Sequence, residues 1–283
     1  MGWVAMLPTP YRKVKNMQKT FYRLVFVFAL LLSLPGCQMI TPAVVQEASP
    51  TAASTDTPAP LPPTPSPAPS LVLSSQLIEE KSSEIPKYEI KLQYPMLEWG
   101  GDPRVQAFNQ AAERIATEEM RSFKEGVQST VNDPNVGDFP SSLEMGHTVT
   151  YSENGLISVI FKVGYYMAGA AHPGYYSHTI NYDIGQGRVL ALEDLFQPDA
   201  TYLETLSAFS LDDLKKRGVL EWEDGALPKP ESYQNWNVTP NGLIITFDEY
   251  MVSSHAAGAQ TVIVPFAAIQ NIIRSDGALA WAR

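Results

Sequence analysis

The residues best suited to catalysis or metal binding are four histidines: His147, His172, His178 and His255. A zinc site usually draws on closely spaced ligands, such as the two histidines of a His-Glu-x-x-His helix. None of the four has a partner at that spacing. Pro173 also interrupts the strand phase between His172 and His178. We therefore expect no metal site and no bound cofactor.

Serine chemistry has no sequence signal either. Ser177-His178 and Ser254-His255 are adjacent pairs, and neighbouring residues of a strand point to opposite faces. We therefore expect that neither pair forms a nucleophile with its base. No Gly-x-Ser-x-Gly elbow occurs in the chain. Gly185-Gln186-Gly187 precedes a predicted strand and not a helix, so it is not a phosphate-binding loop.

Adjacent carboxylates occur at Asp212-Asp213 and at Asp248-Glu249. Paired carboxylates can serve glycoside hydrolysis, but they lie more often in solvent, and we expect both pairs to be solvated. The one cysteine, Cys37, lies at the end of an N-terminal signal and is not available as a thiol nucleophile. We predict that the protein is not an enzyme.

Ligand binding is the function class that remains after these catalytic possibilities. It is favoured because aromatic side chains flank a loop of small residues. Residues 169–174 read Gly-Ala-Ala-His-Pro-Gly, which cannot form a regular element and leaves backbone groups open. Tyrosines with exposed hydroxyls are common interface anchors. The candidate binding residues are Tyr165, Tyr166, His172, Tyr175, Tyr176 and Tyr250. The alternative is that the tyrosines pack the sheet and His172 is structural.

The elements that position these residues are predicted from periodicity. Helical spacing of apolar residues predicts one main helix starting at Asp102-Pro103, and a second is predicted from Asp199 towards Gly218. A last helix is predicted from 265 to about 273, and residues 193–196 form a helical turn. Alternation and turn signals predict strands at 88–94, 143–151, 156–166, 175–184, 188–192, 236–238, 243–247 and 261–264. The class is therefore α+β, an antiparallel sheet with two main helices in one globular domain over 77–283.

The N-terminal residues have the features of a secretory signal. Five basic residues precede an apolar run at 24–34, which is shorter than the roughly 20 residues needed to span a bilayer. Leu34-Pro35-Gly36-Cys37 follows and resembles a bacterial lipobox. We predict a lipoprotein signal over 1–36, whether translation starts at Met1 or Met17. A lipidated Cys37 would hold the protein at the membrane, outside the cytoplasm. The alternative is an ordinary signal with an incidental cysteine.

A tether is predicted between this signal and the domain. Nine of the thirty residues at 41–70 are proline, and most others are Ala, Ser or Thr. Such a segment cannot build a core, so 37–76 is predicted to be a disordered spacer. Without the five basic residues of the signal, 15 basic and 30 acidic residues remain, a net charge of −15. This charge excludes nucleic acid as the main partner and favours a cationic one.

Several short motifs in fixed order carry a family resemblance. They are His172-Pro173-Gly174, the Asn-Tyr-Asp-Ile of 181–184, the Leu-x-Asp-Leu-Phe of 192–196, the Phe-Asp-Glu-Tyr of 247–250 and the Val-Ile-Val-Pro-Phe of 262–266. With the strand at 88–94 they resemble the extracytoplasmic domain of RsiV-like anti-sigma factors, over about residues 88–273. That domain also occurs as a non-catalytic accessory in peptidoglycan deacetylases.

The resemblance implies a sensor-like or receptor-like binding domain whose ligand is a lysozyme-like protein or a peptidoglycan-related molecule. It does not carry over sigma-factor control, because the segment before residue 24 is short. Nor does it carry over deacetylation, because the chain ends soon after residue 273. Two alternatives remain open: a cell-envelope enzyme acting on peptidoglycan, and a structural surface lipoprotein.

Overall fold

Two β-sheets form the framework of the protein, whose computed structural model describes residues 72–98, 100–131 and 139–283. The larger sheet has the strand order β1-β2-β3-β4-β5-β6, and the smaller has the order β7-β8-β9. In chain order the strands are β1 (Val72–Ser82), β2 (Tyr88–Glu98), β3 (Ser141–Glu153), β4 (Leu156–Tyr166), β5 (Gly174–Asp183), β6 (Arg188–Val189), β7 (Trp236–Thr239), β8 (Gly242–Phe247) and β9 (Gln260–Pro265).

The predicted α+β class is confirmed, with one correction to the sheet. The two main helices are α1 (Pro103–Ser129) and α2 (Tyr202–Lys216), of 27 and 15 residues. β2 and β3 pair in parallel, whereas the other strand pairs are antiparallel. A parallel pair needs a crossover connection, and α1 supplies it. The larger sheet is therefore mixed and not purely antiparallel.

The start of α1 follows its sequence signals. The Asp102 side chain accepts a hydrogen bond from the Arg104 amide at 2.8 Å, and Pro103 occupies the first turn. This cap satisfies an amide that has no partner within the helix. One face of α1 then packs on the larger sheet through a set of buried residues that are mostly apolar: Val105, Phe108, Ala111, Ala112, Ala116, Glu119, Phe123 and Val127.

The smaller sheet packs over the opposite face of the larger one, with α2 on its other side. Buried polar side chains join the two sheets. Ser158 on β4 donates to Asn181 at 2.6 Å and accepts from Asn237 at 2.9 Å. Asn181 also donates to the Trp236 carbonyl at 2.8 Å. Leaving one such group unpaired would cost about 1–3 kcal/mol, so the contact fixes how the sheets meet.

Several elements differ from their predicted bounds, and β6 has only two residues where a strand over 188–192 was predicted. α2 begins at Tyr202 with Thr201 as its N-cap, because the Asp199 region forms a separate turn closed by Ala200 and Gln197. α3 (Phe266–Ile269) is a single turn and does not reach residue 273. Residues 272–274 instead exchange backbone hydrogen bonds with 195–197. β1 begins at Val72, before residue 77, where the folded part was predicted to start.

The predicted β-hairpin turns are present. Asn154 and Gly155 have φ of 53° and 73°, the left-handed values that a two-residue hairpin loop requires. Gly187 has φ of 67° in the turn after β5. The predicted signal, Cys37, almost all of the tether and most of the 133–140 loop lie outside the described residues. No helix in the described part of the chain is long and apolar enough to cross a membrane.

Candidate binding surface

Strand β5 directs its side chains alternately to the two faces of the larger sheet. Tyr176 and His178 point towards α1, where Tyr176 packs against the apolar core. Tyr175 and Ser177 point to the face that the smaller sheet covers. A glycine is required at the start of the strand, because a Cβ at Gly174 would lie 2.6 Å from the ring of Tyr165. β5 therefore divides the candidate residues between two environments.

On the helix side, Glu119 of α1 binds both polar groups of β5. The Tyr176 hydroxyl donates to Oε2 of Glu119, and Nε2 of His178 lies 2.7 Å from Oε1. The rings of Tyr176 and His178 meet edge to face at 5.5 Å. Burial, and then the charge of Glu119, raise the pKa of Tyr176 well above its usual value. The phenol therefore stays protonated and acts as a donor.

On the loop side, aromatic rings from two separate loops stack on one another. The ring of His172 lies 4.1 Å from that of His255, with 23° between their planes. The centroid of the Tyr250 ring lies 6.0 Å from that of His255, with 14° between the two planes. His172 belongs to the small-residue loop before β5, and the other two belong to the loop between β8 and β9. Stacking thus joins the two loops.

Oxygen atoms fix the orientation of both imidazoles. Nδ1 of His172 lies 2.8 Å from the carbonyl oxygen of Pro173. Nδ1 of His255 lies 2.8 Å from Oε2 of Glu249, whose side chain is only 8% exposed. A carbonyl oxygen can only accept a hydrogen bond, and so can an ionised carboxylate, so Nδ1 carries the hydrogen in each ring. In the neutral rings Nε2 is therefore an acceptor.

Tyr250 has an unusual backbone. Its φ of 65° is left-handed, which is uncommon for a residue other than glycine and costs energy for a bulky side chain. Its amide donates to the Ser253 carbonyl at 3.1 Å, and the Met251 amide donates to the Asp248 carbonyl at 3.1 Å. These bonds hold the turn, and 51% of Tyr250 remains exposed.

The carboxylates beneath this turn are buried. Asp248 is 8% exposed and accepts from the Asn235 side chain at 2.8 Å. Burial raises the pKa of Asp248, and hydrogen bonds from Ser177 and Asn235 oppose the rise. The prediction that Asp248-Glu249 is solvated is therefore wrong, because the turn folds both side chains inward. Asp212, by contrast, is exposed and pairs with Lys216 one turn along α2.

The structure brings together only part of the predicted candidate set. Tyr175 follows His172 by three residues, at the start of β5. We therefore group His172, Tyr175, Tyr250 and His255 as the aromatic surface. Tyr175 is 52% exposed, and its ring covers Gly164. The other candidates are partly buried: Tyr165 packs on Tyr176, and Tyr166 ends β4.

Three further residues were not among the predicted candidates: Glu119, Glu249 and His255. Glu119 had a sequence signal, since it lies within the apolar stripe of α1 between Ala116 and Phe123. A carboxylate at such a position must find a buried partner. His255 and Glu249 had no comparable signal, because they lie in an irregular loop. Within the described ranges, no three His, Cys, Asp or Glu side chains form a group able to hold a metal ion.

Comparison with known proteins shows that part of this framework is similar to a family. Residues 193–267 match the model of a family described as a protein of unknown function, DUF3298. The match includes α2, the smaller sheet and the loop that carries Glu249, Tyr250 and His255. It does not include α1 or the loop of His172. The half of the aromatic surface that comes from the β8–β9 loop therefore lies in the matched region.

A longer match is found with the peptidoglycan-N-acetylmuramic acid deacetylase PdaC of Bacillus subtilis. The two chains are 24% identical over 171 residues, which is 59% of this chain and 36% of the deacetylase. The match thus extends over about a third of that relative's length. It supports a domain related to part of PdaC.

One solved structure shares the fold, and a second is more distantly similar. A member of the DUF3298 family from Bacteroides fragilis superposes with a TM-score of 0.55 at 14% identity, covering 75% of this chain and 97% of that one. A DUF3298 family protein from Pseudomonas aeruginosa gives a TM-score of 0.49 at 16% identity, covering 72% and 95%. The first likeness shows a shared α+β fold. The narrower resemblance to RsiV-like domains stays a prediction.

Proposed function

We propose that this protein is a binding module of the cell envelope with no catalytic activity of its own. The observation that carries the proposal is the aromatic surface, in which Tyr175 and Tyr250 are each about half exposed. Rigid, partly exposed aromatic side chains are typical anchors of binding sites, because they bury a large area at little entropic cost. The stacking partners and backbone bonds described above hold Tyr250 and the two imidazoles in place.

Its location in this proposal is the outer side of the cytoplasmic membrane. The basic N-terminal region, the short apolar run and Leu34-Pro35-Gly36-Cys37 support a lipidated Cys37, and the proline-rich segment would serve as a spacer. Metabolic labelling with a lipid precursor tests this. The wild-type protein should be labelled and the Cys37→Ser variant should not. Equal labelling of both would remove the lipid anchor from the proposal.

The ligand class in this proposal is a lysozyme-like protein or a peptidoglycan-related molecule. The resemblance to RsiV-like domains supports the first, and the similarity to the peptidoglycan deacetylase of Bacillus subtilis supports the second. A net charge of −15 after loss of the signal would speed encounter with a basic protein and slow it as salt rises. A receptor-like role fits both ligands.

The test measures binding of the full chain, purified in mild detergent, to lysozyme and to isolated peptidoglycan at low and high salt. We expect binding to at least one of them, and a salt-sensitive association rate if lysozyme is bound. Loss of Tyr175 or Tyr250 should weaken it by about 2 kcal/mol, a typical loss at an anchor. Absence of binding to both ligands would overturn the proposal.

An envelope enzyme acting on peptidoglycan is the second candidate. The pairing of His255 with the buried Glu249 favours it, because a carboxylate-oriented imidazole is a common general base. Incubation of the protein with peptidoglycan, followed by analysis of released acetate and glycan fragments, separates the two. Turnover that disappears in a folded His255→Ala variant would replace the binding proposal with this one.

A further inference from the structure

We infer that the aromatic surface binds an uncharged amino-sugar chain, whose pyranose rings stack on Tyr250 and Tyr175 and whose donor groups bond the two imidazoles. The inference rests on the proposed function and names the ligand class for that same surface. It depends on three features: the parallel rings, the acceptor atoms they carry and the charge behind them.

The ring planes are the first feature. The plane of the His255 ring is inclined by 14° to that of Tyr250 and by 23° to that of His172, so the three rings are nearly parallel. A pyranose has a flat face of C–H groups that packs against the electron-rich face of an aromatic ring. About half of Tyr250 is exposed, so part of its ring is open to a ligand. The ring of Tyr175 lies over Gly164, where a side chain would crowd it, and about half of Tyr175 is exposed as well.

The polar edge is the second feature. Both imidazoles use Nδ1 as the donor to protein oxygen, so each neutral ring offers Nε2 as an acceptor. In the part of the chain that the structure describes, neither Nε2 forms a hydrogen bond. Sugar hydroxyls and the N–H of an acetamido group are donors and fit these atoms. Phosphate and carboxylate ligands offer hydrogen-bond acceptors. They would face the Nε2 atoms of the two imidazoles, which are also acceptors.

Charge is the third feature. Asp248 and Glu249 lie directly beneath the turn that carries Tyr250, and the chain without its signal has a net charge of −15. Both act against an anionic polymer. An uncharged N-acetylated sugar experiences no such repulsion. Its acetamido group adds the donor that the imidazole edge can accept, which favours an amino sugar over a plain hexose.

Preorganisation makes weak sugar contacts useful. The Tyr250 turn is held by its own backbone bonds, and its far side is tied down where Glu221 accepts from the Ser254 hydroxyl at 2.8 Å. A site whose rings are already fixed loses little conformational entropy on binding. Tyr250 is the strained residue in this arrangement, because its backbone is left-handed. Backbone strain of this kind is characteristic of ligand-binding positions.

The test uses the full chain in mild detergent and a chemically defined probe, the tetramer of N-acetylglucosamine, in calorimetric titrations. We expect binding, and about tenfold weaker binding for each of Tyr250→Asn, Tyr175→Ala and His172→Ala. Asparagine tolerates the left-handed backbone, so Tyr250→Asn removes the ring while keeping the turn. Thermal melting of each variant shows that it is folded.

A matched control removes an exposed aromatic side chain at the opposite end of the β3–β4 hairpin. Trp281 stacks on Tyr151, which pairs with Ser158, whereas Tyr165 at the other end of β4 pairs with Gly174. Trp281→Ala should bind the tetramer as the wild type does. An anionic oligosaccharide of the same length should bind more weakly than the acetylated tetramer.

Three outcomes would overturn the inference: no binding of the tetramer, equal binding by all variants, or preference for the anionic sugar. If the wild type binds lysozyme or peptidoglycan but not the tetramer, only the sugar inference fails and the proposed function stands. If it binds none of the three, the proposed function fails as well.

Discussion

The protein contains two sets of one histidine, one glutamate and one tyrosine, and they differ in what the tyrosine does. In the helix-side set, His178 and Glu119 are 2.7 Å apart and the Tyr176 hydroxyl donates to the same carboxylate. In the loop-side set, His255 and Glu249 are 2.8 Å apart and Tyr250 stacks on the imidazole. The distance between the histidine and the carboxylate is nearly the same in the two sets.

The elements that carry the two sets explain the difference. Tyr176, His178 and Glu119 come from strand β5 and a long helix, whose packing turns their polar groups towards each other. The loop-side residues follow a left-handed turn that directs Glu249 inward and Tyr250 outward. The same residue types therefore serve the packing of the core in one place and an exposed surface in the other.

The comparison predicts that the helix-side set contributes stability and the loop-side set contributes binding. The strongest test is Glu119→Ala. It removes the shared acceptor and leaves the Tyr176 hydroxyl without its partner in a buried position. We expect the free energy of unfolding to fall by about 3 kcal/mol, measured by urea denaturation.

Glu118 is the matched control for this change, because it is the preceding residue of the same helix and is exposed. Glu118→Ala should alter the free energy of unfolding by less than about 0.5 kcal/mol. Similar losses for both variants would show that helix propensity, and not the shared carboxylate, accounts for the effect.

Sequence patterns anticipated most of the framework, because its elements follow from local periodicity. The apolar stripe of α1, the Asp102 cap and the Asn154-Gly155 turn are each specified by residues close together in the chain. The parallel β2–β3 pair was missed, since strand direction depends on where α1 crosses the sheet. α3 ends early for a similar reason, because residues 272–274 bond a distant segment.

The two sets were harder to predict than the framework. Glu119 and His178 are 59 residues apart in sequence, and no local pattern pairs them. The acidic pair of the β8–β9 loop was predicted to be solvated because adjacent carboxylates usually are. A left-handed residue after the pair turned it inward, and no residue type in the sequence marks Tyr250 as left-handed. The exposed rings of Tyr175 and Tyr250 were anticipated only as members of a larger aromatic set.

The next prediction isolates the hydroxyl of Tyr176. Tyr176→Phe keeps the ring and removes the donor to Glu119, so the free energy of unfolding should fall by about 1.5 kcal/mol. Tyr175→Phe, one residue earlier on the exposed side, should leave it unchanged. Chemical denaturation of the two single variants measures both values. A larger loss for Tyr175→Phe would reverse the assignment of the two faces.

The buried carboxylate of the loop-side set should appear in the pH dependence of stability. The pKa of Asp248 is raised above 3.8 in the folded state. A raised pKa adds stability below pH 3.8 that disappears as the pH rises through the folded value. Asp248→Asn should therefore match the wild type below pH 3.8 and be more stable than the wild type at neutral pH.

Urea denaturation of the wild type and Asp248→Asn at intervals from pH 3 to 7 tests this. The free-energy difference between them should grow as the pH rises. Asp212→Asn is the control, because Asp212 is exposed on α2, and its difference from the wild type should stay small across the range. A difference that grows towards acid pH would mean that hydrogen bonds to the ionised Asp248 outweigh its burial.

The smallest expected effect on stability is at Tyr250, although it should matter most for binding. Tyr250→Gly removes the stacking on His255, which should lower the free energy of unfolding. It also relieves the strain of the left-handed backbone, which should raise the free energy of unfolding. The free energy of unfolding should stay within about 0.5 kcal/mol of the wild type. Tyr250→Ala loses the stacking without relieving the backbone, so it should be the less stable of the two variants. Thermal and urea denaturation rank them. A glycine variant clearly less stable than the alanine variant would mean that Tyr250 is not held in the left-handed conformation, and that the loop-side set is not preorganised.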